Sequence, residues 1–367
     1  MFNESFSRYI FLVILYIEIY YVLINLGWYL KFWCFNMSFI ELSPPAVVYS
    51  ILIEDGQDPY FIPEDEIYSW SKDILPEKGE WYILTAHYEM QVAHGPVFTK
   101  IVSKYYSEGK LRKENLNKLV EDLRSEYETV SRERKDLFYK PLRAIAKVLL
   151  QLGYDVAHGP DPYLGLQYFM EGIYDKFVAS LKNAYKILKE NGVEKIVTTS
   201  PGITTVLNKV VKKYVPEWDI EFKHYHELID EKLSKLPKKQ SDMKVTVHDC
   251  HHWGIINKDK DIPGKLRRML DASGIAWTEP YIYSREKVQC CGAPCGLFHS
   301  LTTAKAADNR LEQLLEPAYK ENAKIIVMSC PSCFNALYAA LQRSHAKDEV
   351  KMIDATLLVH QHLWGEP

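Results

Sequence analysis

Five cysteines near the C-terminal end of this 367-residue chain have the types and spacing for metal or redox chemistry: Cys250, the adjacent Cys290 and Cys291, and Cys330 with Cys333. Thirty-nine residues separate Cys250 from the pair, and 38 separate the pair from Cys330, so the thiols stand in three clumps, each beside the end of a predicted strand. Cys34 and Cys295 lie outside this set. Disulfide tethering, a redox-active thiol pair and metal or cluster binding are all open to such an array. A mononuclear zinc site takes tetrahedral ligands, usually from two Cys-x2-4-Cys knuckles. Here there is one knuckle and one vicinal pair. Neighbouring residues cannot aim both sulfurs at one small ion without strain, whereas they can present them to different metal atoms of a cluster. Soft thiolate selects iron–sulfur, zinc or copper over hard cations.

Taken together, Cys250, Cys290-Cys291-Gly292 and Cys330-Pro331-Ser332-Cys333 resemble the cysteine-rich CCG domain of the B-type polypeptide of heterodisulfide reductase, over roughly residues 244–367. Related components of archaeal succinate dehydrogenases and of lactate or glycolate oxidases have the same domain. The resemblance implies a noncubane 4Fe–4S cluster with Cys250, Cys290, Cys291, Cys330 and Cys333 as ligands, zinc being the alternative. It also implies two partner polypeptides of a heterodisulfide reductase-like complex, one containing flavin and the other holding cubane clusters. The implied substrate is a thiol, a disulfide or sulfur carried on a protein. The expected function is disulfide reduction or thiol or persulfide oxidation, with electrons relayed by those partners. The alternative is an electron-transfer or assembly subunit of a membrane-bound dehydrogenase without a substrate of its own. A thioredoxin-like use of Cys330-Pro-Ser-Cys333 alone leaves the other three thiols unexplained.

Further candidates surround the array. His248, His251 and His252 flank Cys250 and are placed to donate hydrogen bonds to cluster sulfur or protons to a leaving thiolate. Cys295 is a reserve ligand or a packed apolar thiol. Gly292 is expected to let the backbone approach the cluster closely. His87 and Tyr88, after an early strand, are candidates to face the same cleft.

The elements that must position these residues form an internal repeat. A helix ending in Leu-Gly-Tyr at Tyr154 parallels one ending in Ser-Gly-Ile at Ile275, each closed by a glycine, Gly153 or Gly274. Leu181, Ala184, Tyr185 and Leu188 stand 130 positions before Leu311, Leu314, Leu315 and Ala318. At the same offset Ser200-Pro201-Gly-Ile203 aligns with Cys330-Pro331-Ser-Cys333, so the first copy has lost its thiols. Around Gly159-Pro160-Asp161 nothing replaces the vicinal pair. That loss weighs against a reaction needing two facing clusters in one chain. Short strands alternating with helices predict an α/β fold: two tandem pseudo-repeated CCG-type domains with mainly parallel sheets. The expected organisation is an apolar segment over 1–36, a degenerate repeat with a charged helical insertion over 37–240, and the cysteine-bearing domain over 241–367. Lys235–Asp242 reads as the linker.

Within the first copy, prolines and acidic residues over Ser38–Ser71 predict irregular surface structure. Trp81–Thr85 reads as a strand, and Lys113–Lys135 as one charged amphipathic helix. A net charge of −3 argues against a nucleic-acid binder. Cysteines in motifs, without a secretory cleavage site, favour a reducing, cytoplasmic setting. From Ile10 to Leu30 the chain is almost wholly apolar, broken by Glu18 and Asn25 and ending in Trp28, Tyr29 and Lys31. This is either a membrane helix attaching the protein to the cytoplasmic face or an extension upstream of a true start at Met37.

Overall fold

Short strands make two sheets, each of four parallel strands. The first contains β1 (Trp81–Leu84), β2 (Val156–Ala157), β3 (Lys195–Thr198) and β4 (Glu221–His224), in the order β2-β1-β3-β4. The second contains β5 (Lys244–Val247), β6 (Ala276–Thr278), β7 (Ile325–Met328) and β8 (Lys351–Asp354), in the matching order β6-β5-β7-β8. Central strands β1, β3, β5 and β7 are buried along nearly their whole length, as expected when helices cover both faces of a parallel sheet. The edge strands β4 and β8 carry Glu221, Lys223, Lys351 and Asp354 instead, which blunts their open side. The expected α/β class with parallel pairing therefore holds in both copies.

These statements come from a computed structural model, which describes residues 44–293 and 300–367. The apolar run Ile10–Leu30, Cys34 and Cys295 lie outside the described residues. Among the described residues no helix is long and apolar enough to cross a membrane. Residues 44–367 form one compact unit.

Long helices wrap the sheets: α1 (Tyr88–Ser107), α2 (Leu116–Tyr127), α3 (Arg132–Gln151), α4 (Leu166–Glu171) and α5 (Tyr174–Glu190) in the first half. After β3 comes the short α6 (Pro201–Thr205), and after β4 comes α7 (Tyr225–Glu231). The second half adds α8 (Ile262–Ser273), α9 (Ser300–Lys320), α10 (Pro331–Arg343) and α11 (Ala355–Trp364). The 130-residue offset is visible in the packing, since Leu181, Ala184 and Leu188 of α5 and Leu311, Leu314, Leu315 and Ala318 of α9 are all buried. Gly153 and Gly274 both close their helices in the left-handed conformation, at φ 74° and 80°. Helix α3 packs on α1 and also on α11, so it ties the halves together.

Two expectations need correction. Lys113–Lys135 is two helices, because Ser131 caps α3 by accepting a hydrogen bond from the Arg134 amide at 3.2 Å and so starts a new axis. The stretch before Ser71 is not surface: Val48, Tyr49, Leu52, Ile53, Tyr60, Ile62 and Trp70 are buried. Tyr49 and Tyr60 stack on Phe98 of α1, with ring centroids 6.2 and 4.2 Å away. Prolines removed any period from this segment, so its apolar residues reach the core without announcing a helix or strand.

Glu66, read as one of several surface acids, sits in a hub that pins this segment to α1 and α3. It accepts hydrogen bonds from Tyr139 at 2.5 Å and Lys135 at 2.9 Å, and pairs with His94 at 3.3 Å. Burial pushes its pKa up, but the bonds from His94, Tyr139 and Lys135 outweigh this and bring it down to about 2. A depressed carboxyl contributes stability above its unfolded pKa, and loses it as pH falls through the folded value. Glu66→Gln is expected to cost about 1–2 kcal/mol at pH 7, allowing for solvent screening of a half-buried group. Urea titrations of the two proteins from pH 7 down to pH 3 should show the gap narrowing below pH 4.5; a gap independent of pH would contradict the assignment.

Candidate metal centre

The strand order explains where the thiols meet. In each sheet the chain leaves β1 or β5 toward one edge and β3 or β7 toward the other, so a crevice opens at the carboxyl ends of these two central strands. Cys250 follows β5, Cys330 follows β7, and the vicinal pair lies on the long connection between β6 and α9. The three clumps therefore arrive at one switch point from three strand ends.

Their sulfurs converge. The ligand atoms of Cys250, Cys330 and Cys333 all lie within 4.8 Å of one another. Cys291 Sγ is 3.3 Å from Cys333 Sγ. Cys290 Sγ accepts the Gly292 amide at 3.3 Å. None of the five is in a disulfide; Cys290 is exposed and the other four are buried. Cys330 is the N-cap of α10, with Pro331 in the first turn, and its Sγ accepts the Cys333 amide at 3.4 Å. Its counterpart Ser200 caps α6 in the same way, its Oγ accepting the Ile203 amide at 3.3 Å. The turn is thus common to both halves, and only the second carries sulfur.

Crowding these thiols in a buried site forces them to share protons. Hydrogen bonds from Cys290 and Cys333 hold the Cys291 thiol well below its usual range. Burial raises Cys330, but its bonds with Cys250 and Cys333 outweigh that and lower it. Cys250 is raised, chiefly by its bond to Cys330, and Cys333 by its bond to Cys250. Cys290 is raised to about 12, chiefly by its bond to Cys291. Like charges so close cannot all ionise unless a cation sits among them. The donor set of four buried free thiols around one cavity, with the exposed Cys290 next to Cys291, fits an iron–sulfur cluster in its chemistry.

Each of the three candidate histidines has a different place. Burial works to lower the pKa of His251, but the neighbouring Cys290 thiol and the charge of Cys330 raise it. Its Nδ1 is buried without a partner. His252 turns to the other half, where its Nδ1 meets Thr205 Oγ1 at 2.8 Å, and burial brings it down to about 4. His248 Nδ1 accepts a hydrogen bond from Arg310 Nε at 3.1 Å. Burial and the neighbouring Arg310 hold it well below the ordinary histidine value.

Several supporting residues escaped sequence reasoning. Asp249, next to Cys250, takes both Arg267 guanidinium nitrogens at 2.9 and 2.8 Å, both side chains being almost wholly buried. The same carboxylate accepts the Arg285 amide at 2.8 Å. One anion thereby fastens the Cys250 loop to α8 and to the connection leading to Cys290. Gly254 completes the seam, for a Cβ there would lie 1.9 Å from the Arg285 carbonyl oxygen. Gly292 has φ 82°, and a Cβ on it would meet the Thr303 carbonyl at 2.9 Å and Ala306 Cβ at 2.8 Å. Its lack of a side chain thus serves close packing on α9. Glu89 of α1 accepts the Thr199 hydroxyl at 2.7 Å, and burial raises it to about 8. An adjacent Asp-Cys and a buried acid in the first turn of a helix were the available signals, and both are common in unrelated sequences.

The first half closes over the thiols. Tyr88 hydroxyl hydrogen-bonds to Ser332, and His226 Nε2 meets Ser329 Oγ at 2.8 Å. Arg134 donates to Asn335 at 2.7 Å, and Phe138 meets Phe334 edge-on at 5.9 Å. A cleft of about 470 Å³ between the halves is lined by Gln91, Gln167, Met170 and Asn335, with Tyr88 and Ser332 at its inner end. Tyr88, Met170 and Ser332 also line the small cavity bounded by Cys250, Cys291, Cys330 and Cys333. Tyr88 thus faces the cleft as expected. His87 does not: its Nδ1 donates to Asp58 at 2.8 Å and its Nε2 to the Asp161 carbonyl at 2.7 Å, so both ring nitrogens are spent on structure.

Comparison with known proteins bears on this geometry. A family model described as a cysteine-rich domain, CCG, matches residues 245–338. The chain is 27% identical over 208 residues to a probable iron-sulfur-binding oxidoreductase, FadF, of Bacillus subtilis (strain 168), covering 55% of this chain and 27% of that protein. It therefore spans about a quarter of that relative's length. Among solved structures, an aspartate racemase homologue from Pyrococcus horikoshii OT3 aligns at 14% identity and a TM-score of 0.26 over 59% of this chain and 89% of its own, too slight a likeness to support an inference. Residues 245–338 hold all five thiols of the array, so a CCG cysteine-rich domain is present in this chain and carries the candidate centre.

Proposed function

We propose that the chain is the cluster-bearing component of a heterodisulfide reductase-like oxidoreductase. The observation that carries this reading is the convergence of four buried free thiols, Cys250, Cys291, Cys330 and Cys333, from three strand ends around one small cavity beneath an inter-half cleft, with Cys290 adjacent in sequence to Cys291. Cys250, Cys290, Cys291, Cys330 and Cys333 would hold a 4Fe–4S cluster of the noncubane kind. When bound, such a group passes single electrons to or from sulfur. Reducing a disulfide to two thiols takes two electrons and two protons, so the electrons come from outside this chain. A flavin-containing polypeptide and another holding cubane clusters are the partners this scheme calls for. The similarity to an iron-sulfur-binding oxidoreductase supports the redox part of the reading. The chain's own contribution is to bury four of the sulfurs, to hold Tyr88 and Ser332 between them and the cleft, and to line the cleft with the Gln91, Gln167 and Asn335 amides.

A single zinc ion would also suit three sulfurs within 4.8 Å, with Cys291 as the fourth ligand. It leaves Cys290 without a role, so metal and sulfide analysis of anaerobically purified protein separates the two. A second functional reading, an electron-transfer subunit of a membrane-bound dehydrogenase, is favoured by the first half, where Ser200 and Ile203 replace thiols. Adding a thiol to the oxidised protein is expected to change the electron paramagnetic resonance spectrum of the cluster. An unaltered spectrum across low-molecular-weight and protein-bound thiols would leave only the relay.

A further inference from the structure

Arg310 of α9 is among the largest fully buried side chains of the protein, at 1% exposure. Its Nε donates to His248, and its Nη1 donates to the Tyr283 carbonyl at 2.8 Å and to Gln313 Oε1 at 2.9 Å. All of these acceptors are neutral. Its Nη2 is buried without a partner. Asp249, the carboxylate whose charge acts most strongly on it, is already held by both nitrogens of Arg267. A guanidinium taken out of water without a counter-ion is costly, and proteins retain one only where an anion compensates. Burial lowers its pKa to about 10, still above neutrality, while the charges of Asp249, Cys333 and Cys291 act in the opposite sense. The anionic groups within its electrostatic reach thus include two of the converging thiols.

We propose that Arg310 is the buried counter-ion of the thiolate-held cluster, and that its fixed charge stabilises the reduced state over the oxidised one. The inference rests on the proposed cluster. Thiolate ligands leave such a centre net anionic, and each added electron makes it more so; a fixed cation at short range in a low-dielectric site therefore favours reduction. By engaging His248 Nδ1, Arg310 also fixes the tautomer of that ring, leaving its Nε2 to carry the proton. Arg310 touches no substrate in this scheme; it positions and tunes.

The test compares wild type with Arg310→Met, which keeps bulk but removes charge, and Arg310→Lys, which keeps charge. Each is reconstituted anaerobically, assayed for iron and sulfide, and titrated between defined potentials by electron paramagnetic resonance. At a potential where wild type is half reduced, Arg310→Met is expected to show a reduced-to-oxidised ratio lower by roughly tenfold or more, with Arg310→Lys between. A full iron content with an unchanged ratio in Arg310→Met would overturn the proposal. Absence of iron from wild type itself would instead remove the cluster reading beneath it. Thermal melts cover the case of poor loading. Without the cluster, Arg310→Met should be as stable as wild type or more so, and it should gain less on cluster assembly. An equal loss with and without the cluster would mean that Arg310 only packs.

Discussion

Cys333→Ser is expected to abolish most iron and sulfide incorporation while leaving the fold standing. Cys333 is the hub of the array: its sulfur lies 3.3 Å from Cys291 and within 4.8 Å of Cys250 and Cys330, and its amide binds the Cys330 sulfur. Serine fits the same buried space, but its hydroxyl is a hard donor that stays protonated near neutrality. Removing an outer-shell partner from a metal site already costs roughly 10–100-fold in affinity, and loss of a direct ligand should exceed that. Cys34→Ser, outside the array, is expected to load like wild type. Iron and sulfide assays on both, with circular dichroism to check folding, decide the matter. Equal loading of Cys333→Ser and wild type would contradict the ligand assignment.

Asp249→Ala should be the most damaging change away from the sulfurs, costing about 3 kcal/mol of stability. It removes the bidentate partner of a guanidinium that is 3% exposed, and it frees the Arg285 amide. Glu279 still faces Arg267, at 2.7 Å from its Nε, which keeps the loss toward the lower end for a broken buried pair. The Cys250 loop and the connection carrying Cys290 and Cys291 lose their common anchor, so cluster loading should fall even where folding is retained. Combining Asp249→Ala with Arg267→Met is expected to recover part of the stability, because the stranded charge goes with it, but not the loading. Urea unfolding of the single and double variants measures the first effect, and iron content measures the second. A loss under about 1 kcal/mol for Asp249→Ala would show that the pair does not hold the loops.

The parts of the fold visible in the sequence were those set by local pattern. Short strands alternating with helices marked the α/β class, glycines after α3 and α8 marked helix ends, and the 130-residue offset showed that Ser200 and Cys330 occupy one kind of turn. Hidden parts lacked a period. The buried aromatic stretch around Tyr49 and Tyr60 was masked by prolines and acids, and the break before α3 depended on one capping serine.

The candidate site divides along the same line. Cysteine type, number and spacing set the ligand chemistry by themselves, because a thiolate selects soft metals whatever surrounds it. Only the tertiary structure decided which charges share the interior with those sulfurs. Asp249 with Arg267, Arg310 with His248, and Tyr88 with Ser332 are separated by 18, 62 and 244 positions, and only the crossovers of the two parallel sheets bring them together. The same crossovers turned His87 inward to Asp58 and Asp161 and left Tyr88, its neighbour, at the cleft. Adjacent residues at a strand-to-helix turn point in different directions, and which of them meets the site depends on packing rather than on sequence position.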